Sequence, residues 1–193
     1  ETDFGGFSGS NTMLRIRQAY VNLDWGKSAV LVGITWHPLF GAVMPDVLNL
    51  STGAPFQPFN RSPQIRYQYK ANSRVQLTAS VLWQLQYLSS GPKGMSEDYI
   101  KNSCIPEMFV GADFTPADGW LMGLGAHMIS LKPRTSTEWK EQTFKVNERM
   151  TAFSYEAHLK YSGRNYTFAA KTLMASALDH TALLGGYGVS SVD

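Results

Sequence analysis

LRIRQAYVNLDWGKSAVLVGITWHPLFGAVMPDVLNLSTGAPFQPFNRSP, residues 14–63, is the stretch that decides the fold. It predicts a strand over about 13–24, a tight turn at Gly26 and Lys27, and a returning strand over 28–36. A loop rich in proline and glycine follows to residue 62, and its four prolines exclude interior sheet positions. A hairpin with a short turn on one side and a very long loop on the other is typical of a membrane β-barrel.

The rest of the chain repeats this asymmetry. Period-two alternation of apolar and polar residues predicts further strands near 64–70, 74–87, 107–114, 120–130, 150–161 and 166–175. Short turns are expected at Gly26, Asn72, Asp118 and Gly163, and long loops near 37–62, 88–105, 132–146 and after 177. All the short turns then lie at one rim, which is the polarity of outer-membrane barrels.

Two strands carry more specific expectations. The alternation over 74–87 is the cleanest in the chain, and its length of about 13 residues suits a tilted membrane strand, which needs about 9–11. In the strand over 13–24 the alternation changes face, so we expect a bulge near Gln18. Residues 5–11 have the composition of a loop.

Composition narrows the function classes. Charged residues make up 17% of the 193 residues, against about 25% in typical soluble domains. A net charge of +2 without a Lys/Arg cluster predicts no nucleic-acid partner. The single Cys104 excludes an intrachain disulfide, and no apolar run is long enough for a transmembrane helix. Glu1 and Asp3 stand where a signal peptide is basic or apolar, so we expect a mature form or an internal fragment.

The predicted fold class is all-β, an antiparallel up-and-down transmembrane β-barrel forming one domain over 1–193. Alternation alone also fits a soluble barrel with its apolar face inward. Long strands, rim asymmetry, low charge and aromatic residues near both rims favour the membrane. The polar faces carry large groups that suit a water-filled lumen, and unpaired sheet edges are forbidden in lipid. We therefore expect about eight strands here, belonging to a barrel of about sixteen.

Polar residues on alternate strand positions are the candidate pore-lining set. These are Arg15, Arg17, Arg66, Arg74, Gln84, Glu156, His158 and Lys160. Guanidinium groups in a pore attract anions and suit carboxylates. His127 and His158 lack a third ligand at a metal-like spacing, so solvated wall residues are expected and no metal site is predicted.

Catalysis is not predicted. Ser154, Glu156 and His158 share one strand face, but successive members lie about 6.6–7 Å apart, beyond nucleophile–base contact. There is no G-x-S-x-G elbow in the chain. We expect neither an enzyme nor a cofactor.

The segments LRIRQAYVNLDWGKSAVLVGITWHPLF and TGAPFQPFNRSPQIRYQY resemble DcaP-like trimeric porins of the Bacteroidetes type. The resemblance implies a passive diffusion channel for small anionic solutes in the bacterial outer membrane. It also implies a homo-trimer in a lipid bilayer, small hydrophilic solutes as partners, and a long loop over 37–62 that constricts the pore. Candidate residues on that loop are His37, Asp46, Asn60 and Arg61.

Two alternatives remain open from the residues. One is a closed eight-strand outer-membrane barrel that acts as an anchor or adhesin. The other is a soluble β-barrel that binds an apolar ligand.

Overall fold

The structure is a computed structural model that describes residues 1–8, 11–41, 43–44 and 57–188, with only the backbone described for 3–8 and 11–13. The strands in these ranges are β1 (Thr2–Ser8), β2 (Asn11–Ile16), β3 (Ala19–Asp24), β4 (Ser28–Trp36), β5 (Arg61–Lys70), β6 (Val75–Leu82), β7 (Ser90–Gly91), β8 (Gly94–Met95), β9 (Glu107–Phe114), β10 (Trp120–Leu131), β11 (Ser136–Trp139), β12 (Gln142–Lys145), β13 (Met150–Ser162) and β14 (Thr167–Met174). One α-helix, α1 (Asp98–Ser103), and two 3-10 turns, Pro38–Phe40 and Asp179–Thr181, complete the described elements.

Eight strands form one antiparallel sheet in the order β14-β13-β10-β9-β6-β5-β4-β3. Neighbours in this sheet follow one another along the chain, and the described elements between them are small hairpins, α1 and the 38–40 turn. Short turns therefore alternate with long connections, which confirms the predicted all-β, antiparallel, up-and-down arrangement. Asp24 and Gly26 show how a short turn forms: the Asp24 carboxylate accepts a 2.6 Å bond from the Gly26 N–H, and Gly26 takes a φ of +79°.

The sheet does not close on itself. In the described part of the chain, β3 and β14 are its two edges. The alternative of a closed eight-strand barrel is therefore wrong for this arrangement, because closure requires these two strands to pair.

The two faces of the sheet differ sharply. We call them the bare face, whose side chains are largely exposed, and the covered face, over which the long connections pack. One row of the bare face crosses all eight strands in register and consists of Leu23, Val30, Tyr67, Ala79, Val110, Ala126, Tyr155 and Met174. The covered face buries polar residues instead, among them Ser80, His127, Ser154 and Glu156. The apolar face thus points out and the polar face points in.

The long connections also supply two small apolar clusters on the covered face. One contains Tyr99 and Ile100 of α1 with Ile129 and Leu131 of β10. The other packs Leu39 and Leu178 against Leu82 and Phe109. These clusters hold α1, the 38–40 turn and the C-terminal tail against the sheet.

Several predicted boundaries are wrong. The strand expected over 74–87 ends at Leu82, because Gln84 turns inward and bonds to Ser89 and Glu107. The loop expected over 5–11 is mostly the β1–β2 hairpin, and the loops near 88–105 and 132–146 contain β7, β8, α1, β11 and β12. Near Gln18, where a bulge was expected, the strand is interrupted instead: β2 ends at Ile16, β3 begins at Ala19, and the N–H groups of Arg17 and Gln18 donate to the Glu1 carbonyl.

The aromatic residues are distributed differently between the two ends of the strands than the sequence predicted. At the short-turn end Trp120, Tyr161 and Tyr166 form a chain of rings with centroid distances of 4.8 and 5.6 Å. At the other end Trp36 stacks on Phe40 of the following loop with a centroid distance of 4.2 Å, so it belongs to the loop contact and not to a girdle. Among the helices that the structure describes, none has both the length and the apolar character needed to cross a membrane.

Candidate functional site

The first part of the 37–62 connection lies against the covered face. Its 3-10 turn starts with Pro38, and the His37 ring caps the turn by accepting a 3.2 Å bond from the Leu39 N–H. Leu39 and Phe40 are buried. Lys171 of β14 donates to the carbonyl oxygens of both residues, which ties this turn to the far edge of the sheet.

The returning part of the connection pairs with the C-terminal tail. The Phe59 N–H donates to the Thr181 carbonyl at 2.6 Å, and the Asn60 amide donates to the His180 carbonyl at 3.3 Å. Arg61 is buried with its guanidinium 3.7 Å from the centre of the Trp36 ring. Arg61 and Asn60 therefore fasten the base of the loop, whereas Asp46 lies outside the described residues.

Glu107, the first residue of β9, is the centre of a buried polar cluster. Its Oε2 atom faces the Nε2 atoms of His37, His127 and His180 at 3.4, 3.3 and 3.1 Å. Its Oε1 atom accepts a 2.9 Å bond from the Gln84 amide. We call these five residues the Glu107 cluster. All five side chains are at most 1% exposed.

Five separate segments meet in the Glu107 cluster. His37 comes from the loop after β4, Gln84 from the connection after β6, His127 from β10 and His180 from the tail. A buried carboxylate is tolerated only where donors satisfy it, so the cluster fixes the relative positions of these segments. His127 is thus not the solvated wall residue that its spacing suggested.

Burial and charge act differently on two histidines of the cluster. Burial lowers the pKa of His37 to about 4, against the opposing effect of its hydrogen bond to the Glu107 carboxylate. Burial also lowers the pKa of His180, but the Glu107 carboxylate outweighs it and the net pKa lies above the ordinary value. At neutral pH the His37 ring is therefore uncharged. Because its Nδ1 atom accepts from the Leu39 N–H, the ring carries its proton on Nε2, which faces Glu107.

A second polar group lies closer to the short-turn end of the covered face. Glu156 pairs with Lys171 at 3.3 Å, and His158 pairs with Asp113 at 3.0 Å. Asp113, Glu156 and His158 line a cavity of about 260 Å³ that is also bordered by Arg66. The cavity holds groups of both charge signs, so it suits a small polar or ionic molecule.

Glycines on β10 make room for this second group. A Cβ at Gly123 would lie 2.3 Å from the His158 ring and 2.6 Å from Asp113 Oδ1. We expect Gly123→Ala to break the His158–Asp113 bond and to lower the free energy of unfolding by about 1–3 kcal/mol. Urea unfolding followed by tryptophan fluorescence measures this. Gly186→Ala is the control, because a Cβ there meets nothing within 4 Å; equal stability of the two variants would contradict the expectation.

The arginines that were predicted to line the pore lie in different environments. Arg66 donates to the Trp36 carbonyl at 2.6 Å and to Gln64 Oε1 at 2.7 Å, so the wall itself binds this guanidinium. Arg15 and Arg17 are half-buried on the strand that leads into β3. Arg74 is exposed in the turn before β6. Lys160 lies on β13, half-buried and on the same side as His158.

The sequence predicted some residues of the site but not Glu107 at its centre. Glu107, His180, Asp113 and Lys171 were not among the candidates. Glu107 opens a strand and His180 stands in a polar tail, 73 residues away. The available signal was four histidines, two inside predicted strands and two in predicted loops, but spacing along the chain does not show which of them meet.

Comparisons of the chain with protein-family models, curated proteins and solved structures gave no match.

Proposed function

We propose that this chain is part of an outer-membrane β-barrel porin, which lets small hydrophilic, mainly anionic solutes diffuse passively. The observation that carries the proposal is the inverted polarity of the sheet. Val110 is 58% exposed and Leu124 is 68% exposed on the bare face, while Ser154 on the covered face is fully buried. Soluble proteins rarely expose a contiguous apolar patch that covers a whole sheet, whereas the wall of a membrane barrel is apolar outside and polar inside.

The sheet edges support a larger assembly. In lipid, each unpaired N–H or C=O group costs several kcal/mol, so β3 and β14 require further strands beside them. A barrel of about sixteen strands meets this requirement and leaves an aqueous lumen. By the resemblance to trimeric porins, we propose a homo-trimer in the bacterial outer membrane.

The covered face supports the channel side of the proposal. The loop after β4 packs over it through Leu39 and Phe40, as a constriction loop does. Arginines cluster near this loop: Arg61 and Arg66 lie at its base, and Arg17 carries a charge close enough to act on Arg61. Fixed guanidinium charges favour anions even when each has a protein partner.

Planar-bilayer recording of the protein purified from membranes in detergent tests the proposal. We expect stepwise conductance and a reversal potential shifted toward anion permeation under a salt gradient. Recovery of the folded protein as a soluble species without detergent, or a complete lack of conductance, would refute it.

The proposed role of the arginine charges in anion preference can be tested separately. We expect the double variant Arg15→Gln and Arg17→Gln to reduce the anion-to-cation permeability ratio several-fold, because two fixed positive charges near the loop are removed. Arg164→Gln is the matched control, since Arg164 lies in an exposed short turn at the opposite end of the strands. Identical reversal potentials for the double variant and the wild type would rule out the arginine role.

A further inference from the structure

Three imidazole nitrogens and one carboxylate oxygen converge in the Glu107 cluster. The ligand atoms of His37, Glu107 and His127 all lie within 4.8 Å of one another. His180 places a further nitrogen 3.1 Å from the same Glu107 oxygen, beside this mutually close group of three. We propose that this cluster binds one divalent transition-metal ion of the zinc type, which joins the loop and the tail to the sheet.

The distances from the three histidine nitrogens to Glu107 Oε2 fit binding of a metal ion better than three hydrogen bonds. Charge-assisted N–H···O bonds are about 2.7–2.9 Å long, and the three contacts to Oε2 are 3.1, 3.3 and 3.4 Å. Two ligands of a tetrahedral zinc ion, each about 2.0–2.1 Å from the metal, are about 3.3 Å apart. A carboxylate oxygen also has about two lone-pair sites, fewer than the three nitrogens that face Oε2.

The donor set selects the class of ion. Three imidazoles and a single carboxylate suit zinc and its first-row neighbours, whereas calcium and magnesium require mostly oxygen ligands. The ligands are at most 1% exposed, so no open coordination position faces solvent. Metal sites closed to solvent in this way are structural rather than catalytic.

Gln84 and the Leu39 N–H affect how strongly the proposed site binds an ion. The Gln84 amide holds Glu107 Oε1 at 2.9 Å and so orients Oε2 toward the histidines. His37 must carry its proton on Nδ1 when Nε2 binds an ion, which gives up the 3.2 Å bond from the Leu39 N–H. His37 is therefore a weaker ligand than His127, and its substitution lowers affinity less than that of His127.

The test is a titration of the folded, chelator-treated chain in detergent with Co²⁺ and then Zn²⁺. We expect one ion per chain to remain after gel filtration, with the visible spectrum of low-coordinate Co²⁺. Glu107→Gln and His127→Gln should weaken binding by at least ~100-fold, and Gln84→Ala by about 10–100-fold. His158→Gln should bind as the wild type does, because His158 pairs with Asp113 outside the cluster.

Circular dichroism of each variant shows whether it folds. If Glu107→Gln does not fold, the wild-type stoichiometry and the Gln84→Ala affinity still decide the matter. A wild-type chain without a stoichiometric ion, or Gln84→Ala and His127→Gln variants with wild-type affinity, would overturn the metal site. Neither outcome depends on channel activity, so the porin proposal can fail or stand separately.

Discussion

Val110→Arg should destabilise the protein in a lipid bilayer by about 2–4 kcal/mol, the cost of an arginine on the lipid face near the bilayer midplane. Val110 stands at the middle of β9 in the apolar row that crosses all eight strands, and its side chain is exposed on the bare face. Urea-dependent equilibrium folding in unilamellar vesicles measures the change.

Val75→Arg is the matched control for this prediction. Val75 lies on the same face but at the first residue of β6, beside the short turn. Lipid-face arginines cost only about 0–1 kcal/mol near the interface, so the same substitution should be tolerated there. If both variants stay within about 0.5 kcal/mol of the wild type, the bare face is an ordinary water-exposed surface, and the membrane proposal is wrong.

Local alternation was enough to predict the sheet. The strand β9 has the bounds predicted from its period-two alternation, and β4 has the bounds predicted from its nearly continuous apolar run between a tight turn and a proline-rich loop. The end of β6 was not predictable, since Leu85 and Tyr87 continue the alternation. Gln84 overrides it: its three hydrogen bonds to Ser89 and Glu107 exist only after the long connections fold onto the sheet.

The candidate site was likewise predictable only where it depends on the residues of a single strand. Alternation correctly placed Glu156 and His158 on the polar side of one strand. It could not show that His158 would meet Asp113 of β9, or that Lys171 would reach the carbonyls of Leu39 and Phe40. Such contacts depend on register between strands and on loop conformation, and neither is encoded in the spacing of residues along one strand.

Glu107→Ala should lower the free energy of unfolding by about 3–5 kcal/mol, the usual effect of removing one partner from a buried charged network. The change leaves the Nε2 groups of His37, His127 and His180 facing a void without their acceptor. Unfolding in urea with a chelator present measures the cluster's own contribution, since any bound ion is removed. Protease digestion should also cut sooner within 57–60 and 178–182, because these segments lose their link to β9.

Glu97→Ala is the control for this last prediction. Glu97 is a half-exposed carboxylate that pairs with Lys101 one helical turn away on α1. Exposed pairs of this kind contribute about 0.2–1 kcal/mol, so its removal should have little effect. A Glu107→Ala variant as stable as Glu97→Ala would mean that the other contacts of the loop and the tail, including those of Leu39, Leu178 and Lys171, are enough to hold them. The covered face would then be organised by its apolar contacts and edge lysine, and the Glu107 cluster would not be the point at which the loop is fastened.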